Sequence, residues 1–271
     1  MTTPSGAGVV ARTPEARLAG PVPIFSHPDW RTRFPWLVQG TTGRGDGEPW
    51  DLGLRGRAPV GSVLERWRTL GDTLGFPRMA HARQVHGARV IAHNGGPPGL
   101  LLSDACDGHL TGTAGILLTV SVADCVPVFM VDARRRVVAL VHAGWRGIAA
   151  GVLEAGVRAL EDRFGTQPAD LHVYFGPSIC GRCYEVGPEV FRALGLDPPD
   201  RPAPVDLVQV LALRASRIAV PQAQLSASAY CTRCGERDFF SHRAYRAGLG
   251  PAGHQVGFLG IRSAASGHHA G

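Results

Sequence analysis

Between Ile116 and Val141 the chain carries three apolar runs rich in β-branched residues, separated by only a few polar ones. Ile116 to Val122 is apolar and β-branched apart from the hydroxyls of Thr119 and Ser121, the pattern of a buried strand. Val128-Phe129-Met130-Val131 reads as a second strand, Arg134-Arg135-Arg136 as a turn, and Val137 to Val141 as a third strand. Asp124, Cys125 and Pro127 lie between the first two runs. Pro127 lacks an N–H and biases Val126 towards extended geometry, so a bend is expected there.

After His142 the pattern changes period. Leu153, Val157, Leu160 and Phe164 follow the i, i+4, i+7, i+11 spacing of a helix face, and Gly165 is placed to stop that helix. Leu171 to Phe175 reads as a strand ending at Gly176-Pro177, Glu189 to Leu194 as a short helix, and Val205 to Ile218 as a longer one. Phe239 to Arg243 and Gln255 to Ile261 read as a hairpin. No repeat or long linker is visible, and the Pro-rich stretch 198–204 is a surface loop. The fold class is α/β (α+β), with all elements around one core in a single compact domain.

The composition is that of a globular protein, 44% apolar and 18% charged, and no apolar run approaches the roughly 20 residues of a membrane helix. Met1 to Gly20 has no apolar stretch of the secretory kind. Residues 1–22 and 263–271 are expected to be flexible tails around a domain at 23–262, in a cytoplasmic protein. The basic residues are all Arg, with no Lys, which removes lysine Schiff-base chemistry and the P-loop lysine. They are scattered, so the net charge of +6 does not imply nucleic-acid binding.

Chemistry concentrates in three segments: Gln84-Val85-His86-Gly87, Ala123-Asp124-Cys125-Val126-Pro127 and Val141-His142-Ala143-Gly144-Trp145-Arg146-Gly147. Two imidazoles and a thiolate are a ligand set that holds zinc and leaves a fourth position open. Cys125 with a His is equally a nucleophile–base pair. Each residue alone is more often structural, but Cys125 and His142 both fall at strand exits, where α/β proteins build sites. Asp124 is a carboxylate where an apolar strand would not otherwise tolerate one. The six cysteines also include Cys180-x-x-Cys183 and Cys231-x-x-Cys234. Two such pairs can make a structural zinc site. The 47 residues between them are longer than in a zinc ribbon, so simple packing is the favoured reading. A disulfide framework is not expected in a cytosolic chain. Gly40 to Gly45, with Arg44, reads as a plain surface loop ahead of a phosphate cradle. Arg146 and Arg243 are anion-ligand candidates, set against ordinary exposed arginines.

Taken in order, Gln-Val-His-Gly, Asp104-Ala105-Cys106-Asp107-Gly108, Ala-Asp-Cys-Val-Pro, His-Ala-Gly-Trp-Arg-Gly, the stretch Gly176 to Gly187 and Phe239-Phe240-Ser241-His242-Arg243 resemble the YfiH/laccase-domain family. The resemblance runs from about Pro23 to Ile261. Its departures are Thr41-Thr42-Gly43-Arg44, Asp51-Leu52-Gly53-Leu54 and Ser241-His242-Arg243, where the family usually has Thr-Arg, Asn-Leu-Gly and Ser-Tyr-Arg. The two CxxC pairs do not look general to the family, which argues against a shared second metal.

The resemblance implies mixed sheets sandwiched by helices, a fold similar to that of cysteine deamidases. It implies zinc, with copper less favoured, on His86, Cys125 and His142. It also implies phosphorolysis of adenosine, inosine, guanosine and methylthioadenosine, with adenosine deamination as a second activity. In that scheme Cys125, His142 and Asp124 are the catalytic residues, Asp124 moving the proton. Arg44, Arg146 and Arg243 are candidates to hold phosphate, and Gln84 to orient His86 or touch the base. The expected partners are purine nucleosides and phosphate, not nucleic acid or membrane, for a monomer or small homo-oligomer. The alternatives are a zinc-independent cysteine hydrolase or amidase, including one that edits peptidoglycan precursors, and a copper-dependent polyphenol oxidase.

Overall fold

The structure, a computed structural model, describes residues 10–56, 58–235 and 238–263. Two seven-stranded mixed sheets organise it. The first runs, neighbour to neighbour, Ala11–Thr13, Leu225–Ser228, Leu171–Phe175, Val126–Asp132, Val137–Ala143, Gly108–Thr111 and Val90–His93. The second runs Ala16–Leu18, Ile24–Ser26, Leu37–Thr42, Gln255–Ile261, Ile116–Val122, Arg78–Ala82 and Gly99–Ser103.

The sheets lie face to face, with helices outside. Leu118, Val120, Phe129, Val131, Leu140, Tyr174 and Leu259 fill the space between them. Helices Val152–Phe164 and Leu207–Arg217 cover the other face of the first sheet through Leu153, Val157, Leu160 and Leu211. Helix Val60–Leu74 covers the second through Val63, Trp67 and Leu70, against Leu117, Met79 and Phe258. The pleat of Val126–Asp132 sends Val126, Val128 and Met130 to one core and Phe129 and Val131 to the other. A strand with two buried faces has no wet positions, which is why the sequence there is unbroken. Each such side chain contributes roughly 1.5–3 kcal/mol by burial.

The register gathers one set of chain ends along one rim. In the first sheet Val126 pairs with Ala143, Val141 with Gly108, and Val128 with Phe175. The starts of Val126–Asp132 and Gly108–Thr111 therefore lie beside the ends of Val137–Ala143 and Leu171–Phe175. In the second sheet Gln255 pairs with Val122 and Gly257 with Thr41, so the ends of Ile116–Val122 and Leu37–Thr42 share an edge. Ala123-Asp124-Cys125 steps from one sheet to the other at that rim.

Several expectations need correction. Ala11–Thr13 and Ala16–Leu18 are strands in the two different sheets, so residues 10–22 are part of the folded body and not a tail. Residues 1–9 and 264–271 lie outside the described residues. Pro127 does not bend the chain: it lies inside Val126–Asp132, opposite His142, near the strand's start where the missing N–H breaks little of the ladder. The turn is made by Asp124, at φ 86. Gln255–Ile261 is a strand, but its partners are Leu37–Thr42 and Ile116–Val122. Ser241 caps the short helix His242–Arg246 where the hairpin partner was expected. Half of the Gly40 to Gly45 loop is buried strand, and a Cβ on Gly40 would come within 2.6 Å of the Phe258 ring.

Candidate metal centre and active site

Asp107 is the residue on which the site is built. It is fully buried just ahead of Gly108–Thr111, and its carboxylate takes four donors. Oδ1 accepts the His86 N–H and faces His142 Nδ1, each at 2.9 Å. Oδ2 accepts the N–H groups of Val85 at 3.1 Å and Gly87 at 2.8 Å. Three successive amides on one carboxylate hold His86 at φ 59, a left-handed conformation that costs a branched or bulky side chain energy unless its surroundings impose it. Gln84 fixes the same loop from the other side. Its amide donates to Ser121 O at 2.8 Å and accepts from Ser121 N at 2.7 Å, so its polar group is spent on the strand and orients the loop.

His142 closes the arrangement. Its backbone N–H donates to Asp107 O at 2.7 Å, and with Nδ1 on the carboxylate its Nε2 is directed towards Cys125. A carboxylate behind a histidine fixes the tautomer that a metal needs. The ligand atoms of His86, Cys125 and His142 lie within 4.8 Å of one another, with Cys125 Sγ 4.0 Å from His86 Nε2. Tetrahedral zinc with ordinary bond lengths puts N and S ligands about 3.5 Å apart, so the Cys125–His86 pair needs to close by about half an ångström. Gly144 leaves the room: a Cβ there would sit 2.9 Å from both Cys125 Sγ and His86 Cδ2.

Burial disfavours the Cys125 thiolate, but the His142 charge and hydrogen bonds from His142 and His86 outweigh it and bring the thiol down to about 6. Burial also disfavours charged His142, yet the charges and hydrogen bonds of Cys125 and Asp107 raise it to about 9. Burial pushes the Asp107 carboxyl up, and its His142, Gly87 and Val85 hydrogen bonds more than reverse that. Without metal the cluster is a thiolate–imidazolium pair backed by a carboxylate. With metal it is a three-ligand site in which thiolate and neutral imidazoles bind.

Asp124 lies against Cys125, but both of its carboxylate oxygens are engaged. Oδ1 accepts from Thr232 Oγ1 and Oδ2 from the Arg243 N–H, each at 2.7 Å, while its carbonyl accepts from Ile179 N at 3.0 Å. It ties three loops to the rim and has no free oxygen aimed at a substrate. Arg243 donates from Nη1 to Glu185 O at 2.8 Å and lies over the Tyr184 ring at 5.1 Å. Arg146, exposed at the start of helix Trp145–Ala149, stacks on Trp145 at 4.2 Å. Burial and the Cys125 charge push the Tyr184 hydroxyl up to about 12, with Arg243 and Arg146 pulling the other way, so all four side chains share one electrostatic neighbourhood. Arg44 is half-buried beyond the end of Leu37–Thr42 on the same rim, its N–H on Asp238 O at 2.6 Å. A surface cleft of about 570 Å³ beside Cys180 and Arg182 contains none of the trio.

Sequence reasoning missed Asp107 and Tyr184 as site residues. Both fall inside quoted segments, and an Asp buried ahead of a strand was the available signal for the first. The four paired cysteines also come together, with ligand atoms within 4.8 Å, against the expectation that they merely pack.

Residues 40–262 match the family described as multi-copper polyphenol oxidoreductase laccase. The chain belongs to this family. A relative from Geobacillus stearothermophilus named purine nucleoside phosphorylase YlmD is 33% identical over 254 residues, covering 84% of this chain and 92% of the relative. The crystal structure of YlmD from that organism superposes with a TM-score of 0.79 at 30% identity, over 92% of this chain and 100% of the other. A protein of an unknown prokaryotic organism, named adenosine deaminase RL5, is 33% identical over 202 residues, covering 67% of this chain and 76% of that one. Family membership bears out the resemblance, and the neighbours share the two-sheet fold. Among the described residues, no helix is long and apolar enough to cross a membrane.

Proposed function

We propose that this protein is a zinc-dependent purine nucleoside phosphorylase acting on adenosine, inosine, guanosine and methylthioadenosine, with adenosine deamination as a second activity. The observation that carries the reading is the convergence of His86, Cys125 and His142 on one point, with Asp107 behind His142 and two guanidinium–aromatic pairs nearby. The names of the relatives support the substrate class. Zinc, when bound, supplies a Lewis acid and lowers the pKa of a bound water to about 7.

The chain's own residues do the rest. In phosphorolysis an oxygen of hydrogenphosphate bonds to C1′, the glycosidic C–N bond breaks, and the purine leaves with a proton at N7, the proton that hydrogenphosphate gives up by way of solvent. Arg146 and Arg243 offer planar donors that suit phosphate, with Arg44 on the same rim. Tyr184 and Trp145 offer faces for a purine. Asp124 positions Arg243 through its backbone N–H. Among the described residues the metal-donor clusters are the trio and the four cysteines, neither of them the histidine-rich array that multicopper oxidation needs.

Purified protein given inosine and phosphate should release hypoxanthine and ribose 1-phosphate, and release should stop when phosphate is omitted. About one zinc should be lost on Cys125→Ala. Activity in fully metal-stripped protein overturns the zinc reading. The depressed Cys125 thiol beside His142 and Asp107 favours a second reading, a cysteine hydrolase in which Cys125 Sγ attacks a carbonyl and His142 is its base. Phosphate-independent turnover with a trapped thioester on Cys125 would select it.

A further inference from the structure

Cys180, Cys183, Cys231 and Cys234 come from two turns that follow different strands of the first sheet. Leu171–Phe175 and Leu225–Ser228 are parallel neighbours, so both chains leave the sheet at the same rim. Ser178 and Cys231 then form a further parallel bridge, and Thr232 N donates to Ser178 O at 3.1 Å. That pairing sets the two CxxC turns side by side. Cys183 Sγ is 3.2 Å and Cys180 Sγ 4.0 Å from Cys234 Sγ. Cys231 Sγ accepts the N–H groups of Cys180 at 3.2 Å and Cys234 at 3.3 Å.

We propose that these four cysteines form a second, structural zinc site, separate from the site of the proposed reaction. Tetrahedral zinc–thiolate bonds of about 2.3 Å put sulfurs about 3.8 Å apart, and the observed separations bracket that value. Four thiols give their protons to solvent and bind Zn²⁺ as thiolates, with no change of oxidation state. Packing does not explain the cluster. Cys234 is exposed and Cys180 and Cys183 are half-buried. Cys106 shows what a packed cysteine looks like in this chain: it is fully buried. A Cys183–Cys234 disulfide would use the shortest contact and leave the other two sulfurs without a role.

The site clamps the wall of the active centre. Cys183 is followed by Tyr184, and its carbonyl accepts from Arg233 Nη1 at 3.2 Å. Cys231 is followed by Thr232, whose hydroxyl holds Asp124. Zinc at the cluster therefore joins the Tyr184 turn and the Asp124 anchor through one ion.

The test is metal content and zinc-edge X-ray absorption on purified protein. Wild type should hold about two zinc ions per chain. Cys125→Ala should hold one, with a shell of four sulfurs at about 2.3 Å and no imidazole. The double variant Cys183→Ser, Cys234→Ser should also hold one, with a mixed nitrogen and sulfur shell, and should melt at lower temperature. If that double variant does not fold, the Cys125→Ala spectrum decides alone. If wild type holds only one zinc, and that zinc persists in Cys125→Ala with an all-sulfur shell, the second site stands and the catalytic one falls. A Cys125→Ala protein that holds no zinc at all overturns the proposal. So does a Cys183–Cys234 crosslink found by non-reducing peptide mapping in freshly purified protein.

Discussion

Replacing Asp107 by Asn keeps the shape of the side chain and removes its charge, and the structure lets the damage be worked out. Each carboxylate oxygen takes two donors: His86 N and His142 Nδ1 on one, Val85 N and Gly87 N on the other. An amide has one oxygen and one NH₂, so whichever way it sits, two donors face an NH₂ group. Two hydrogen bonds to a charged acceptor at roughly 1.5–3 kcal/mol each set a destabilisation of about 3–6 kcal/mol. One orientation frees the His86 loop from its φ 59 conformation, and the other removes the group that fixes His142. Either way at least one of the two histidine ligands loses its alignment. Loss of such a partner costs roughly 10–100-fold in metal affinity, or about 1.4–2.7 kcal/mol. Chelator competition on folded Asp107→Asn protein measures the affinity, and urea unfolding of the metal-free form measures the stability. Wild-type zinc affinity in a folded Asp107→Asn protein would refute the argument that this carboxylate assembles the site.

Gly144→Ala should abolish zinc binding at the trio while leaving the far-ultraviolet circular dichroism unchanged, because its Cβ would lie 2.9 Å from Cys125 Sγ; retained zinc in a crystal structure of the variant would count against the fit. In metal-stripped protein, iodoacetamide should modify Cys125 at a near-constant rate between about pH 7 and 8.5 and more slowly as pH falls through about 6, and added zinc should protect it. The linkage has opposing signs. The depressed Cys125 pKa adds stability to the metal-free protein that is lost as pH falls through about 6, and the raised His142 pKa adds stability that is lost as pH rises through about 9. From ordinary values of 9.0 for the thiol and 6.5 for the imidazole the two trends run in opposite directions and nearly cancel, so this pair should leave the urea midpoint of metal-free protein close to flat between about pH 6 and 9, and a strong slope there that Cys125→Ala abolishes would contradict the pairing. Tyr184→Ala should raise KM for nucleoside roughly 5–30-fold if the ring stacks on the purine, by about 1–2 kcal/mol; an unchanged KM removes the ring from the binding site. Leu140→Ala, fully buried between the sheets, should cost about 2–5 kcal/mol in urea unfolding, and a loss under 1 kcal/mol would mean that the inter-sheet core is not tightly packed.

The parts of the fold that were legible are those where burial leaves no choice of residue. Ile116–Val122, Val126–Asp132 and Val137–Ala143 are shut in on both faces, so their sequence is close to pure β-branched and apolar. Helix Val152–Phe164 showed its buried stripe and its Gly165 stop, which indeed adopts φ 66. Partners were less legible than elements. Gln255–Ile261 was seen as a strand, but nothing local says that it threads between Leu37–Thr42 and Ile116–Val122. At the site, His86, Cys125 and His142 stood out because reactive residues interrupt apolar or Gly-rich contexts. Asp107 did not, because its four donors come from positions 20 to 35 residues away and exist only once the strands pair. The four cysteines were discounted on their spacing along the chain, while the parallel pairing of Leu171–Phe175 with Leu225–Ser228 removes that distance in space.

The short segment from Ala11 to Leu18 has a practical consequence for how the protein is cut. It gives an outermost strand to each sheet, and between the two strands Glu15 is buried against the Tyr174 and Ser228 hydroxyls. An expression boundary drawn at residue 23, or at the start of the family match at residue 40, removes both edge strands at once. Leu225–Ser228 and, with the first cut, Ile24–Ser26 then become bare β-edges, open to pairing with another chain. Truncated versions should precipitate or self-associate while every motif-bearing residue is still present, so poor behaviour of a shortened chain would report on lost edges and say nothing against the active centre.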